Sequence, residues 1–373
     1  MAPSAASDER CIPRLTAAID LGAIRHNLGR ARALAPSSKV MAAVKADAYG
    51  HGAVPVSQVL TQAGVDALAV ACLEEALQLR AAGIETPIVL LEGVLSAAET
   101  RVAAAENLQI VVHAPWQLAL LQALPAATSL QLWIKLDTGM HRLGFAADQA
   151  QAVYAAVRLQ ANWNLRGWIT HLARADETGS PMTQQQVTRF ERALKDLPGD
   201  RSIANSAGLI AFPSSHSDWV RPGLMLYGAS PFRNRSAADL GLRPAMHLHS
   251  RIIALHDITA GEAVGYGATW RSQRPARLAV VAAGYADGVR RALPSGTPVG
   301  LRGQRVPMAG RVSMDMIALD VTAVPEAQVG DTVTLWGDGV PVEEIATLAG
   351  TISYELFCGL THRVHFHYDG AAP

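Results

Sequence analysis

Residues 39–52 read KVMAAVKADAYGHG, and the interpretation of the fold starts from them. Residues 40–45 are short, apolar and partly β-branched, which is typical of a buried strand that ends at Lys45. The polar residues that follow, flanked by glycines, indicate a turn. A lysine at the end of a buried strand must be desolvated or paired, and desolvation favours the neutral, nucleophilic amine. The stretch therefore indicates a Schiff-base lysine, with a lysine that snorkels from a strand end as the alternative.

Similar apolar runs recur along the N-terminal part of the chain and alternate with alanine- and leucine-rich helical patterns. This alternation is typical of repeated βα units around a parallel sheet. Eight such strands in this length favour a (β/α)8 barrel over an open doubly wound sheet. The predicted strands are residues 40–45, 68–72, 87–92, 109–113, 130–137, 165–172, 202–205 and 223–227.

A polar, arginine-rich stretch at residues 231–243 indicates a crossover into a second domain. Beyond it, strands of antiparallel type separated by glycine turns are predicted, with two short helices among them. We therefore predict a barrel domain at residues 1–240, with an N-terminal extension of about residues 1–15, and a mostly β domain at 241–373. The strands lie near 249–256, 278–283 and 316–321, and the helices near 342–348 and 353–360.

Composition narrows the classes of partner and compartment. The 373 residues are 50% hydrophobic and carry 32 basic and 32 acidic side chains, so no general attraction to nucleic acid or an anionic membrane follows. The start of the chain lacks the apolar core of a secretory signal, and no apolar run has the length of a membrane span. Cys11, Cys72 and Cys358 are far apart and lack metal-ligand spacing, which fits a reducing cytoplasm. Small molecules are the expected partners.

Histidines occur at positions 362, 365 and 367, near the end of the chain. They occupy alternating strand positions and lack a cysteine or carboxylate constellation. A terminal β-strand is therefore predicted there, and no metal site.

If the barrel forms, a phosphate is expected after its seventh and eighth strands. Residues 205–208 read NSAG, which places a hydroxyl and backbone N–H groups at a helix start. Residues 221–224 read RPGL and offer unhindered backbone amides. Ser206 is therefore a candidate anion ligand, with an ordinary helix N-cap as the alternative.

From about residue 18 to about residue 363 the chain resembles the alanine racemases, which are pyridoxal 5′-phosphate enzymes in which a barrel precedes a β domain. The resemblance implies interconversion of L-alanine and D-alanine by two-base proton transfer on the cofactor-bound substrate, with D-alanine supplied for peptidoglycan. It also implies a head-to-tail homodimer in which the second domain contributes to the partner subunit's active site. The matching motifs, in chain order, are residues 39–52, KLDTGMHRLG at 135–144, NSAG, RPGL, VGYGAT at 264–269, GYADG at 284–288 and RVSMD at 311–315.

Two rival functions stay open within the same fold: a broader-specificity amino-acid racemase and a pyridoxal phosphate decarboxylase. A decarboxylase should carry an acidic partner for the pyridine nitrogen and a protonating cysteine motif in the β domain. A pyridoxal phosphate-binding homeostasis protein would be a barrel alone.

The resemblance assigns site residues one by one. Lys45 would handle the proton on the D face and Tyr266 the proton on the L face. Lys135 would be carbamylated, and Arg142, Met314 and Asp315 would bind the substrate. The cofactor-binding residues would be Lys45, Tyr49, His171, Asn205, Ser206, Arg221, Gly223, Leu224 and Tyr354, and the entryway would be lined by Tyr285, Arg291, Arg311 and Ile352.

Arg221 carries a mechanistic implication, because the matching arginine of the family faces the pyridine nitrogen. A fixed positive charge there disfavours a proton on that nitrogen and limits electron withdrawal, which suppresses transamination. A free tyrosine has a pKa of about 10, so Tyr266 needs help as a base. By resemblance, His171 supplies it by linking Tyr266 to Arg221. The alternatives are a surface or inter-element salt bridge for Arg221, a packed turn aromatic for Tyr266 and a satisfied core histidine for His171.

Lys135 would act as a carbamate anion that orients Arg142, whose planar fork of donors suits a substrate carboxylate. An unmodified lysine would repel the arginine. The alternative is an unmodified Lys135 paired with Asp137.

Overall fold

The computed structural model describes residues 12–125 and 128–370. Its contacts divide the chain into two compact units. One unit is Leu21–Arg243, and the other joins the described residues up to Asp20 to those from Pro244 onward. Cys72 and Cys358 are reduced cysteines, and Cys11 lies outside the described residues. Of the helices in the described ranges, none is both long and apolar enough to cross a membrane.

Leu21–Arg243 forms a closed parallel barrel of eight strands. Each strand pairs with its neighbour in chain order, and the last pairs with the first through Val220 and Val40, so the sheet has no free edge. A two-residue strand, Phe145–Ala146, pairs with the end of the fifth barrel strand. The barrel strands are Lys39–Ala43, Ala67–Val70, Ile88–Leu90, Gln109–Val112, Leu130–Asp137, Trp163–Ile169, Asp200–Ser202 and Trp219–Val220.

Helices follow the strands, as the alternation of patterns predicts. One further helix, Leu21–Leu34, precedes the first barrel strand. The helices after the strands are Ala53–Gln62, Leu73–Ala81, Ala97–Ala105, Pro115–Gln122, Ala150–Arg158, Met182–Ala193 and Ser206–Ala211.

The barrel interior is filled by side chains of very different size. Trp133 and Trp219 meet edge to face, with 5.8 Å between ring centroids, and the small Ala67 and Ala69 belong to the same buried cluster. The Trp133 indole donates to Gln109 Oε1 at 2.6 Å, which satisfies its one polar atom. The interior is therefore a packed core, and chemistry is left to the loops at the carboxyl ends of the strands.

Seven predicted strands overlap observed ones, but the prediction of strand eight at residues 223–227 is wrong. The strand is Trp219–Val220, and Leu224–Tyr227 forms a 3-10 helix. All four residues of that helix are buried, and the sequence there is apolar at every position. A short run of this kind has no periodicity that could separate a strand from a helix. The strand before Lys45 also ends earlier than predicted, at Ala43.

The second unit is mostly β, as predicted, and its strands pair antiparallel except where Leu15–Asp20 runs parallel to His365–Asp369. That C-terminal strand confirms the strand predicted around His365 and His367. The strands are Leu15–Asp20, Met246–Ile258, Ala263–Val264, Trp270–Arg271, Ala276–Val281, Pro298–Leu301, Gln304–Pro307, Ile317–Asp320, Thr332–Trp336 and His365–Asp369, and the helices are Val342–Leu348 and Ser353–Cys358.

The unit boundary differs from the predicted division in two ways. It falls between Arg243 and Pro244, close to the predicted residue 240. In addition, Leu15–Asp20 belongs to the sheet of the second unit, where it lies between Met246–Ile258 and His365–Asp369. Alternate residues of this strand are buried, but its partners lie more than 200 residues away, so the sequence pattern alone does not identify them.

Candidate active site

Lys45 lies two residues after the end of the first barrel strand and is half-buried, next to the fully buried Val44. The four residues after it, Ala46 to Tyr49, all have left-handed backbone angles, with φ between 51° and 55°. A left-handed conformation costs a non-glycine residue about 1–2 kcal/mol, so four in succession form a strained segment. The strand thus delivers Lys45 into a turn that the surrounding structure must hold in place.

Tyr49, at the end of this left-handed turn, packs on the barrel. Its ring stacks on the buried ring of Tyr227 with 4.8 Å between centroids. Gly223 lies against its phenol: a Cβ atom on residue 223 would be 2.5 Å from Tyr49 Oη. Only glycine fits beside that hydroxyl, and the backbone of residue 223 therefore approaches it closely.

Ser206 joins the same group of polar atoms. Its Oγ accepts hydrogen bonds from the backbone N–H groups of Gly223 at 2.9 Å and Met225 at 3.3 Å. Asn205 is the N-cap of helix Ser206–Ala211, because its Oδ1 accepts from the Gly208 N–H at 2.9 Å. The N-cap alternative for Ser206 is therefore wrong. Ser206, Gly223, the adjoining buried Leu224 and Tyr49 therefore lie together, and their hydroxyls and backbone amides are neutral donors of the kind that suits a phosphate.

Arg221 is buried between the carboxyl ends of the barrel strands. Its guanidinium donates to Ser202 Oγ at 2.6 Å and to the carbonyls of Thr170 and Ile203 at 2.5 and 3.2 Å. Burial lowers its pKa to about 9. Within the described ranges no carboxylate lies within 4.0 Å of it, so the salt-bridge alternative is wrong.

His171 contacts this guanidinium, which donates to its Nδ1 at 3.4 Å. Burial, followed by the positive charges of Arg221, Lys135, Arg142 and Lys45, lowers the pKa of His171 well below its ordinary value. The ring is therefore neutral at neutral pH, and accepting at Nδ1 places its proton on Nε2.

Lys135 and Arg142 share a pocket with His171. Burial, followed by the charges of Arg221, Arg142 and Lys45, lowers the pKa of Lys135 to about 8. The predicted alternative pairing with Asp137 does not form, because that carboxylate accepts from the Gly139 N–H at 2.9 Å and contacts the His141 ring at 2.8 Å. The pocket is thus strongly positive, which suits an anion.

In the second unit, Tyr266 lies on a 3-10 turn between Gly265 and Gly267, whose φ angles are 72° and 76°. Its side chain is 67% exposed, so the alternative of a packed turn aromatic is wrong. Arg311 lies beside the turn: a Cβ atom on Gly267 would be 3.0 Å from its guanidinium. The fold therefore presents the Tyr266 phenol to solvent in the single chain.

Tyr285 and Met314 are also exposed and lie on adjoining loops. The Tyr285 N–H donates to the Ser313 carbonyl at 3.0 Å, and the Ala286 N–H donates to the Met314 carbonyl at 3.0 Å. Ile352 is 57% exposed, Arg291 is exposed and Tyr354 is half-buried on helix Ser353–Cys358. Tyr285, Met314 and Ile352 are therefore apolar side chains of the second unit that are exposed in the single chain.

These loops depend on residues that the sequence did not single out for the site. Asp287 is buried, accepts from the Gly284 N–H at 2.9 Å and forms an ion pair with Arg363 at 3.1 Å. Arg363 also contacts Asp315 at 2.8 Å, which places this predicted substrate residue in an ion pair. The sequence signal that could have identified Asp287 is its carboxylate inside the GYADG turn, since Asp commonly binds backbone amides in turns.

Ser202 and Thr170, which hold Arg221, were likewise not predicted, because nothing in their local sequence marks them. Among the described residues no group of three or more histidine, cysteine or acidic side chains could hold a metal ion.

Comparisons with known proteins agree along the chain. Residues 19–231 match the family description "Alanine racemase, N-terminal domain", and residues 245–368 match "Alanine racemase, C-terminal domain". The catabolic alanine racemase of Pseudomonas putida is 48% identical over 354 residues, and the biosynthetic enzyme of Escherichia coli is 48% identical over 357 residues. Each alignment covers 95% of this chain and 98% of the relative.

A crystal structure of the biosynthetic alanine racemase from Pseudomonas aeruginosa superposes with a TM-score of 0.92 at 46% identity, covering 96% of this chain and 100% of that one. Both units are therefore matched in sequence and in fold, over nearly their full length. The chain belongs to the alanine racemase family.

Proposed function

We propose that this protein interconverts L-alanine and D-alanine with pyridoxal 5′-phosphate as its cofactor. The observation that carries the proposal is the buried, positively charged Arg221 in contact with neutral His171, at the barrel end where Lys45 emerges. A same-fold decarboxylase would need an acidic group at that position, and a binding protein would not need the second unit. Membership of the alanine racemase family supports alanine as the substrate.

The residues present fit the cofactor. Lys45 would hold it covalently through its amine, and Tyr49, Ser206, Gly223 and Leu224 would bind its phosphate through neutral donors, together with Tyr354 by resemblance. A phosphate site built from neutral donors explains why the sequence has no glycine-rich phosphate loop with its own lysine. When bound, pyridoxal 5′-phosphate withdraws electrons from the substrate and so acidifies its α-hydrogen.

Gly223→Ala is expected to weaken pyridoxal 5′-phosphate binding by about tenfold or more. The added Cβ would lie 2.5 Å from Tyr49 Oη, and the stacked ring has little room to move away. Titration of the cofactor-free protein, followed by cofactor absorbance, measures the effect. Gly179→Ala is the matched control, because its added methyl meets no atom within 4 Å. Equal affinities for the two variants would contradict the phosphate site.

Lys45 and Tyr266 are the proposed acid and base. Racemisation requires proton transfer on both faces of a planar carbon, so one group cannot suffice. In this proposal Lys45 moves the proton on the D face and Tyr266 the proton on the L face. His171, with its proton on Nε2, would donate a hydrogen bond to the tyrosine oxygen and stabilise the phenolate.

Arg142 would bind the substrate carboxylate, with help from the Met314 amide. Lys135 is proposed to be carbamylated. Its lowered pKa makes about half of the amine neutral at pH 8, and the neutral amine is the form that reacts with carbon dioxide. The resulting anion would compensate the charges of Arg142 and Arg221.

The unmodified Lys135 should make stability depend on pH. Because its pKa falls from 10.5 to about 8 on folding, the unfolded chain binds more protons between those values, and stability rises with pH through that window. Below pH 8 the charged amine costs the folded state at most roughly 3 kcal/mol. Carbamylation removes this cost.

Bicarbonate is therefore expected to raise the urea midpoint of the wild-type protein at pH 8 and to leave that of Lys135→Met unchanged. Urea unfolding followed by circular dichroism measures both. Lys195→Met, at an exposed lysine, should keep the wild-type response. No bicarbonate effect on the wild type would argue against the carbamate.

The active unit is proposed to be a head-to-tail homodimer. Lys45 and Tyr266 belong to different units of the chain, and Tyr266, Tyr285, Met314 and Ile352 are exposed in the single chain. A partner subunit that supplied them to the barrel would bury these side chains.

The physiological role is proposed to be the supply of D-alanine for peptidoglycan, in the cytoplasm. The two relatives at 48% identity bear opposite names, catabolic and biosynthetic, so identity does not favour either role. Breadth of substrate, such as serine, is set by the entryway residues.

The deciding experiment is the decay of circular dichroism of L-alanine and of D-alanine with the purified protein and pyridoxal 5′-phosphate. Both enantiomers should converge to zero ellipticity. Cofactor binding without racemisation would instead favour a decarboxylase or a binding protein.

A further inference from the structure

The left-handed turn after Lys45 is tied to the neighbouring strand by one carboxylate. Glu75 Oε1 accepts from the Ala46 N–H at 2.7 Å, and Glu75 Oε2 accepts from the Ala71 N–H at 2.7 Å. Ala46 follows Lys45 directly, and Ala71 follows the second barrel strand, Ala67–Val70. The two oxygens therefore bridge the ends of two adjacent parallel strands.

The ladder between these strands stops just before the bridge. Its last bond runs from the Val44 N–H to the Ala69 carbonyl at 2.9 Å. Val44 then leaves the extended conformation, with ψ of 14°, so the Ala46 amide leaves the direction of the ladder. The carboxylate takes the place of the missing strand partner with a charge-assisted bond.

We propose that Glu75 is a positioning residue that fixes the direction of Lys45 by holding the left-handed turn at its first amide. The inference rests on the proposed role of Lys45 as the cofactor-holding lysine. Glu75 does not contact the reacting atoms, and it acts through the backbone of Ala46 alone.

A second glutamate in the same barrel separates this role from ordinary helix capping. Glu75 is the third residue of helix Leu73–Ala81, and Glu99 is the third residue of helix Ala97–Ala105. Each accepts from the amide four residues earlier, Glu99 from Leu95 at 2.8 Å. Only Glu75 uses its other oxygen on the lysine turn. Glu99→Ala therefore removes the same cap without the bridge.

Glu75→Ala is expected to lower kcat about a hundredfold with the KM for alanine changed less than about threefold, because a lysine misplaced by about 1 Å loses that much rate. Borohydride reduction followed by peptide mass spectrometry should find correspondingly less cofactor fixed on Lys45, one of only four lysines. Glu99→Ala should match the wild type within about twofold in both measurements.

Hydrogen exchange on the cofactor-free proteins completes the test. Amides of residues 46–50 should exchange at least about tenfold faster in Glu75→Ala than in Glu99→Ala. If Glu75→Ala does not fold, Glu75→Gln, which keeps one accepting oxygen, should still exchange these amides faster than Glu99→Ala.

Equal exchange, equal cofactor fixation and equal kcat in the two alanine variants would overturn the role of Glu75. A wild-type protein that fixes no cofactor on Lys45 would instead overturn the proposed function, and the exchange rates would still decide whether Glu75 holds the turn.

Discussion

Tyr266→Phe is expected to lower kcat for racemisation by about 10²- to 10⁴-fold in both directions, the usual contribution of a positioned acid or base. The phenol is 67% exposed and the turn is set by its glycines, so loss of the hydroxyl should leave the fold unchanged. Circular dichroism of each alanine enantiomer measures the rate. The variant keeps Lys45, and it should still exchange the α-hydrogen of D-alanine with deuterated water faster than that of L-alanine.

Full racemisation by Tyr266→Phe would refute the two-base assignment. Equal exchange of both enantiomers would refute the assignment of faces. The far-ultraviolet spectrum and cofactor affinity serve as controls for folding.

Mixing inactive chains extends the same prediction to the assembly. If each site takes Lys45 from one chain and Tyr266 from the other, a dimer of Lys45→Ala with Tyr266→Phe has one intact site. Random pairing makes half of the dimers mixed, so co-expression should restore about one quarter of wild-type activity. Activity no greater than that of the separate variants would argue that each site is built within one chain.

Arg221→Gln is expected to lower kcat/KM by about 10²-fold or more. It should also shift the acidic limb of the pH profile of kcat/KM to higher pH. Burial and then the charge of Arg221 lower the pKa of His171, so removal of that charge should let the pKa rise toward its ordinary value. Below that pH the ring becomes cationic and no longer accepts at Nδ1. If Arg221 lies beside the cofactor nitrogen, as proposed, pyruvate formed by transamination should increase as well.

Arg221→Lys separates charge from geometry. It keeps the positive charge, so the acidic limb should stay near that of the wild type even if the rate falls through loss of the bonds to Ser202 and Thr170. Profiles of kcat/KM between pH 5 and 9 measure both variants. If the acidic limb of Arg221→Gln lies at the same pH as that of the wild type, the titration of His171 does not govern that limb.

The sequence predicted the barrel well where its signals are local. Leu130–Asp137 has the predicted bounds, because an apolar run between turn residues needs no distant partner to be recognised. The prediction of strand eight was wrong because every residue of Leu224–Tyr227 is apolar and buried. The turn predicted after Lys45 is present, but its left-handed conformation was missed, since alanine and tyrosine carry no preference for that conformation.

For the site, resemblance supplied the residues and the link from His171 to Arg221, and the structure supplied the geometry of that link and the other contacts. The bond from Arg221 to His171 joins residues 50 positions apart, and no spacing rule gives it. Glu75 looks like any glutamate in the first turn of a helix until its second oxygen is traced to Ala46.

Leu15–Asp20 also constrains how the protein is made. The strand is synthesised first, but its partners Met246–Ile258 and His365–Asp369 leave the ribosome after the whole barrel. At about 5–20 residues per second, the strand waits on the order of 10–50 seconds for its first partner. The second sheet is therefore completed only once residue 369 has been synthesised, and a fragment starting at Pro244 would lack the strand that pairs with both of these partners.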